Sequence, residues 1–496
     1  MSLEQTIQLC MLVPFVGAAL IPLFTSSPNL REAVTLITGA VLFTLVASLY
    51  PAVAGGAQPS VRVFEMLPGL GIVFTVEPLG MIFAALASFL WVVTSIYSIG
   101  YMRGHDEQNQ TRFYALFAIA IGAAMGIAMA GNMLTLFIFY EVLTISTFPL
   151  VTHYGTEEAK RAGRVYLGIL LGTSIAFLLF AIIWTWTLTG TLDFTQGGIL
   201  AGKADGWAAA VLLGLYVFGI GKAALMPFHR WLPAAMVAPT PVSALLHAVA
   251  VVKAGVFAVL KVAIYIFGID FLATIAASKW LLYLAAATVL IASLVAMAQD
   301  NLKARLAYST ISQLSYVIVG AMLASDLGII GGGMQIAMHG FGKITLFFCA
   351  GAFIVAAHKT EISQMKGIGR TMPLTTFAFL IGSLSIIGLP PMGGLWSKWY
   401  LALGAGDVGQ PIFIAVLMLS SLLSIGYLMP IVGRAFFLPP KPYVDEHGHH
   451  HEAQTEYKEG SPLCTVPLCL TALGCVALFF WGGALRELLL PMLELR

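Results

Sequence analysis

Glutamate, lysine and histidine recur in this 496-residue chain inside stretches that are otherwise apolar. Glu141 stands in LFIFYEVLTISTFPL, with Thr144 three residues on and so on the same helical face. Lys222 lies in GIGKAALMPFHRWLP. His247 and Lys253 share LLHAVAVVKAGV, where a spacing of six puts them on different faces, about 9 Å apart along a helix axis. Such a pair would not touch, but water could link it. His339 and Lys343, in MHGFGKITLF, share one face at i, i+4, about 6 Å apart along the axis. They suit a direct proton handover. Lys398 follows GLPPMGGLWS. A charge at mid-bilayer costs several kcal/mol unless it is paired or hydrated. Each of these groups changes charge by gaining or losing one proton. A Glu141–Lys222 pair that forms and breaks would therefore move protons, and histidine titrates where a relay needs it. Lys222, Lys253, His339, Lys343 and Lys398, with His247 beside them, are the candidate polar axis for proton translocation. Glu141 is read as the only acid deep in a span. Lys261, nearer a helix end, is expected to snorkel to the interface.

The elements that must carry these residues are membrane helices. The chain is 59% hydrophobic and only 10% charged, with mean hydropathy +0.92, whereas a soluble domain is about a quarter charged. Fourteen spans of the length a bilayer requires fall at roughly 5–25, 32–54, 79–101, 113–130, 132–152, 163–190, 207–226, 241–268, 278–298, 303–323, 328–357, 371–403, 411–436 and 463–485. The fold class is thus an all-α integral membrane bundle. The seventh span holds Pro227 and Pro233 behind Lys222, and the twelfth holds Pro390, Pro391, Gly393 and Gly394 ahead of Lys398. Proline breaks the backbone ladder, and in lipid the freed groups must face protein or a wet cavity. Both helices are expected to be discontinuous. Their separation by five spans suggests two inverted five-helix repeats, at 113–268 and 278–436. An N-terminal three-helix region (1–112) precedes them, and a polar loop with a last helix (437–496) follows. Residues 55–78 are expected to form a hairpin outside the membrane.

Other classes find little support. A net charge of +2 with no basic patch argues against nucleic acid. No nucleotide loop, haem or iron–sulfur pattern is present, so no cofactor is expected, and GIGK lacks phosphate-loop spacing. The five cysteines lie in apolar stretches and read as small hydrophobes. The N-terminus lacks the basic segment of a cleaved signal, so its first apolar run reads as a permanent helix. The HGHHHE tract at 447–452 reads as a solvated loop, with metal binding or pH sensing as alternatives. With both termini outside, the inside loops hold fifteen of the 25 Lys and Arg, the outside segments five, and five lie within or near spans. That bias sets the orientation.

The stretches FYEVLTISTFPLVTH, GKAALMPFHRWLPAAMVAPTPVSALLHAVAVVKAGV, LKARLAYSTISQLSYV, MHGFGKITLFF and GLPPMGGLWSKW together resemble one family. It is the antiporter-like subunits shared by Mrp-type cation/proton antiporters, the respiratory NADH dehydrogenase membrane arm and membrane-bound hydrogenases. Length and FYEVLTISTFPLVTH resemble the D-type Mrp subunit, while APTPVSALLHAVAVVKAG is closer to the A-type and L-type subunits. The resemblance implies fourteen helices, inverted five-helix repeats and proton passage within a hetero-oligomeric complex. It implies roles for Glu141 as the fifth-helix acid, Lys222 and Lys253 as the seventh- and eighth-helix lysines, His339 and Lys343 as the eleventh-helix pair, and Lys398 as the exit residue. The expected function is therefore a proton-translocating subunit of a Na+/H+ antiporter in the cytoplasmic membrane, partnered by other membrane subunits. The alternatives are a proton-pumping subunit of a redox complex and a non-transporting scaffold.

Overall fold

Helix starts follow from the residues that precede each apolar run. The computed structural model describes residues 1–67, 69–444, 450–453 and 456–494. Ser2 opens α1 (Leu3–Leu20) in a reciprocal box with Gln5. Pro28 begins α2 (Pro28–Ala54), where a missing N–H is harmless. The antiparallel hairpin β1 (Ser60–Leu67) and β2 (Leu70–Thr75) follows, as expected. Glu77 caps α3 (Pro78–Gly104). Next come α4 (Gln110–Ala128), α5 (Met133–Val151) capped by Asn132, and α6 (Glu157–Thr173) capped by Thr156. One π-helical turn joins α6 to α7 (Leu179–Thr189). Asp205 caps α8 (Gly206–Gly219), and α9 (Val251–Lys261) lies between two further π-helical turns, Leu245–Val249 and Val262–Phe267. The second half comprises α10 (Ala276–Ala298), α11 (Leu302–Met322), α12 (Asp326–Ala357), α13 (Pro373–Ile387), α14 (Gly394–Asp407), α15 (Pro411–Phe437), α16 (Pro462–Phe480) and α17 (Gly482–Leu489).

Among the described residues, eleven helical runs are long and apolar enough to cross a membrane. The run Thr240–Phe267, which contains α9, is buried along its whole length, and α3 and α12 are mostly buried. These three form the centre. The runs at α1, α2, α15 and α16 face outward, with large apolar side chains such as Ile37, Met418, Leu422 and Leu473 exposed. Lipid accepts that surface and water does not.

Two helices break where proline and glycine predicted. α8 stops at Gly219, and Lys222 sits in a short 3-10 turn (Gly221–Ala223) ahead of Ala224 in the left-handed region (φ 54°). Protein groups satisfy the freed backbone: Trp231 Nε1 donates to the Gly221 carbonyl (3.0 Å), and the Lys222 N–H donates to Tyr140 Oη (3.0 Å). α13 ends at Gly388, which takes φ 89°, and the chain re-enters a helix at Gly394. A Cβ on Gly394 would lie 1.9 Å from the Ser385 carbonyl oxygen, so only glycine lets the two segments approach this closely.

Two further acids are buried near helix starts: Glu32, in the first turns of α2, bonds Arg103, and Glu77 caps α3. One expectation about charge is corrected. Lys261 does not snorkel; it is 1% exposed and turned inward. The expected loop around the histidine tract falls partly outside the described residues, which omit 445–449. His450–His451 pair as a short strand with Tyr443–Val444.

Candidate functional site: lysines buried at helix breaks

Lys222 is held by α5. Its ammonium donates to the Tyr140 carbonyl (2.8 Å) and Thr144 Oγ1 (2.5 Å), and lies 3.2 Å from the centre of the Tyr140 ring. The expected contact pair with Glu141 is not formed. Both Glu141 carboxylate oxygens are buried without a hydrogen-bond partner among the described residues. Position 141 lies about 100° around the helix from Tyr140, and the Lys222 backbone is pinned on the Tyr140–Thr144 face. Spacing alone puts Thr144 beside Glu141; in the fold it serves the lysine instead.

Lys253 Nζ lies 2.6 Å from His339 Nδ1, joining α9 to α12 at the centre of the bundle. Which of the two donates depends on which carries the shared proton: the ammonium donates to a neutral imidazole, and a protonated imidazole donates to a neutral amine. His339 therefore meets Lys253 across helices and does not bond Lys343 along its own. Lys343 turns to α11, donating to Ser309 Oγ (2.6 Å) and the Leu306 carbonyl (3.2 Å). His247, in a π-helical turn, is fully buried against Phe347 with a ring-centre separation of 4.6 Å, and neither ring nitrogen has a hydrogen-bond partner among the described residues.

Lys398 projects from α14 back onto the end of α13. Its ammonium donates to the Ile386 and Ile387 carbonyls (2.9 and 2.8 Å) and to Ser421 Oγ (2.9 Å). Those carbonyls are orphaned by the helix break, and a cation at a helix C-terminus satisfies both their hydrogen bonding and their dipole. The break and the lysine are thus one device.

Sequence reasoning missed a second buried cluster. The Glu77 carboxylate accepts the Leu79 and Gly80 N–H groups (2.9 Å each), Lys261 Nζ (3.1 Å) and Tyr265 Oη (3.1 Å). The ammonium also lies 4.3 Å from the centre of the Phe194 ring. The signal was present: an acid immediately before a proline that opens a span is a helix cap, held at the helix boundary. A third cluster lies in the loops. His105 Nδ1 is 3.0 Å from Glu107 Oε1, and Tyr154 Oη donates to the same carboxylate (2.7 Å). Hydrogen bonding to Glu107 raises the His105 pKa. Burial alone would raise Glu107, but hydrogen bonds from His105 and Tyr154 outweigh it, so this carboxyl lies below its ordinary value. His105 and Tyr154 line a cleft of about 640 Å³ that also includes Glu158 and Lys303.

Apolar helices around lysines buried at helix breaks define an antiporter-like, multi-pass membrane subunit. Residues 130–424 match the family model described as NADH:quinone oxidoreductase/Mrp antiporter, transmembrane, and the chain belongs to that family. It is 31% identical over 432 residues to NADH-quinone oxidoreductase subunit N of Desulforudis audaxviator, covering 84% of this chain and 85% of the relative. It is 28% identical over 472 residues to the D-type subunit of the Na(+)/H(+) antiporter of Alkalihalophilus pseudofirmus, covering 94% and 92%. Its fold matches a chain in the structure of the Mrp complex from a Dietzia species, with TM-score 0.87 and 23% identity over 99% of this chain and 97% of that one. A chain of an archaeal membrane-bound sulfane sulfur reductase matches with TM-score 0.85 and 22% identity, over 98% and 96%.

Proposed function

We propose that this chain is the D-type, proton-translocating subunit of a multi-subunit Mrp-type Na+/H+ antiporter in the cytoplasmic membrane. One observation carries the reading. Lys222, Lys253 and Lys343 are 0%, 1% and 0% exposed, yet among the described residues none has a carboxylate within ion-pair distance. Structural buried charges are normally paired. Lysines held by carbonyls, hydroxyls and an imidazole instead have partners that tolerate either charge state. Near-complete coverage of a D-type antiporter relative supports the particular assignment.

In this mechanism the attraction of Glu141 for Lys222 changes as the complex cycles. The Lys222 proton then passes to the Lys253–His339 pair with His247 beside it, next to Lys343, and leaves by Lys398. Each charge crossing 100 mV of membrane potential is worth about 2.3 kcal/mol, enough to drive the cycle. The architecture proposed with it has fourteen crossings, both termini outside, and inverted repeats at 113–268 and 278–436. The two broken helices, each with a lysine just beyond its break, support those repeats, and the Lys and Arg asymmetry supports the orientation.

The test is antiport in everted membrane vesicles. Lys222→Met and Lys343→Met are each expected to lower sodium-dependent proton exchange at least tenfold while the complex still assembles. Wild-type exchange in both variants would refute the proposal. The subunit N relative favours a second reading, a proton-pumping subunit of a redox complex. Co-purification of quinone-reducing or hydrogenase subunits with the native complex would select it.

A further inference from the structure

Between Lys343 and Lys398 the mechanism so far names no carrier, yet the structure fills that interval with hydroxyls. Ser309 Oγ, which accepts from Lys343, lies 2.9 Å from Tyr427 Oη. Tyr427 Oη lies 3.0 Å from Ser424 Oγ. Ser421, three residues before Ser424 on α15, accepts from Lys398 (2.9 Å). Ser420, Ser421, Ser424 and Tyr427 thus form a polar stripe on a helix that is otherwise apolar until Arg434 in its last turn. Ser309, Ser424 and Tyr427 are fully buried. The stripe is held in place: Arg305 Nη1 donates to the Tyr427 carbonyl (2.9 Å), fixing α15 against α11 at this residue.

A buried hydroxyl bonded only to its own preceding turn is a packing residue. The Ser309–Tyr427–Ser424 bonds run sideways instead, from one helix to another and then along it. Each hydroxyl both donates and accepts, so it can release one proton as it takes up another. We infer that Ser309, Tyr427 and Ser424 form a hydroxyl wire that carries the proton from Lys343 towards Lys398 along α15. The inference rests on the proposed function. Lys343 gives a proton to Ser309 as Ser309 gives its own to Tyr427 and Tyr427 its own to Ser424. Ser424, once rotated, gives its own to Ser421, and Ser421 its own to a neutral Lys398 amine. No hydroxyl is left charged, and Lys398 ends protonated. Ser424 Oγ donates to the Ser420 carbonyl (2.9 Å). A rotation about its χ1 turns it toward Ser421, about 4.5 Å away along the axis.

The experiment uses the intact complex in proteoliposomes, with proton flux followed from pH 6 to 9. Tyr427→Phe keeps the ring and removes the link; combined with Ser424→Ala it is expected to cut flux at least tenfold. Ser309→Thr, which retains the hydroxyl, is expected to keep most of it. A loss of flux across the whole pH range at wild-type complex yield supports the wire, since looser packing alone would lower yield. If the double variant assembles poorly, Ser309→Ala decides by the same criteria. Wild-type flux in the double variant, with Lys343→Met inactive, overturns the wire and leaves the proposed function standing. Wild-type flux in both Lys343→Met and Lys222→Met overturns the proposed function itself.

Discussion

The Glu77–Lys261 pair offers a quantitative check on how this bundle stores charge. The two side chains are 3% and 1% exposed and meet at 3.1 Å. Removing one partner leaves the other buried and uncompensated, but the two orphans differ. Without Lys261, the carboxylate keeps two backbone N–H groups and the Tyr265 hydroxyl. Lys261→Met should therefore cost about 1.5–3 kcal/mol, the value of one charged hydrogen bond. Without the Glu77 charge, the ammonium keeps no counter-ion, only an amide carbonyl and the ring faces of Phe194 at 4.3 Å and Tyr265 at 4.6 Å. Glu77→Gln should cost about 3–5 kcal/mol, as for a broken buried ion pair. Glutamine is the better probe than alanine because its carbonyl still caps α3, and cap loss alone costs about 1 kcal/mol. The Glu77→Gln/Lys261→Met double variant leaves no orphan charge, so it should be more stable than Glu77→Gln alone. A coupling of about 2–3 kcal/mol follows, near the upper end for contacting residues. Denaturant titration of the purified protein in mixed micelles measures all four corners of the cycle. Additivity within about 0.5 kcal/mol, or a Lys261→Met cost above that of Glu77→Gln, would refute the reasoning.

The loop cluster predicts a pH dependence. The His105 pKa is raised above its ordinary 6.5, so its contribution is fully present below that value and lost as pH rises through the raised one. Glu107 lies below its ordinary 4.5, so its contribution is present above that value and lost as pH falls through the lowered one. The His105 side chain is 39% exposed, which limits the effect to about 0.5–1 kcal/mol. His105→Gln should thus destabilise at pH 5–6 and converge on wild type by pH 9, in unfolding measured across that range. Glycine supplies a steric test on α14. Gly394→Ala drives a Cβ into the Ser385 carbonyl at 1.9 Å, whereas Gly406→Ala meets nothing closer than Ile414 Cδ1 at 4.0 Å. The first should cost about 1–3 kcal/mol through overpacking and impair transport by moving Lys398. The second should be neutral or slightly stabilising.

By itself the sequence determined the class and the breaks. Apolar runs of bilayer length cannot be soluble, and clustered glycine and proline, as in GLPPMGG, weaken the helix ladder, so these features follow from local chemistry along the chain. The candidate lysines were legible for the same reason: an ammonium in an apolar run is conspicuous whatever surrounds it. Partners were not legible, because a side chain's neighbour across a helix interface depends on crossing geometry that period counting does not carry. Spacing pairs His339 with Lys343, but packing of α9 on α12 gives His339 to Lys253. Chemistry matches Glu141 to Lys222, but pinning of Lys222 by Tyr140 turns the ammonium to Thr144. Lys261 reads as an interfacial residue until the start of α3 brings Glu77 to it. The serines of α15 carry no signal of their own, since a hydroxyl in an apolar helix usually bonds its own backbone. Only the arrival of Ser309 and Lys398 from two other helices makes them a path.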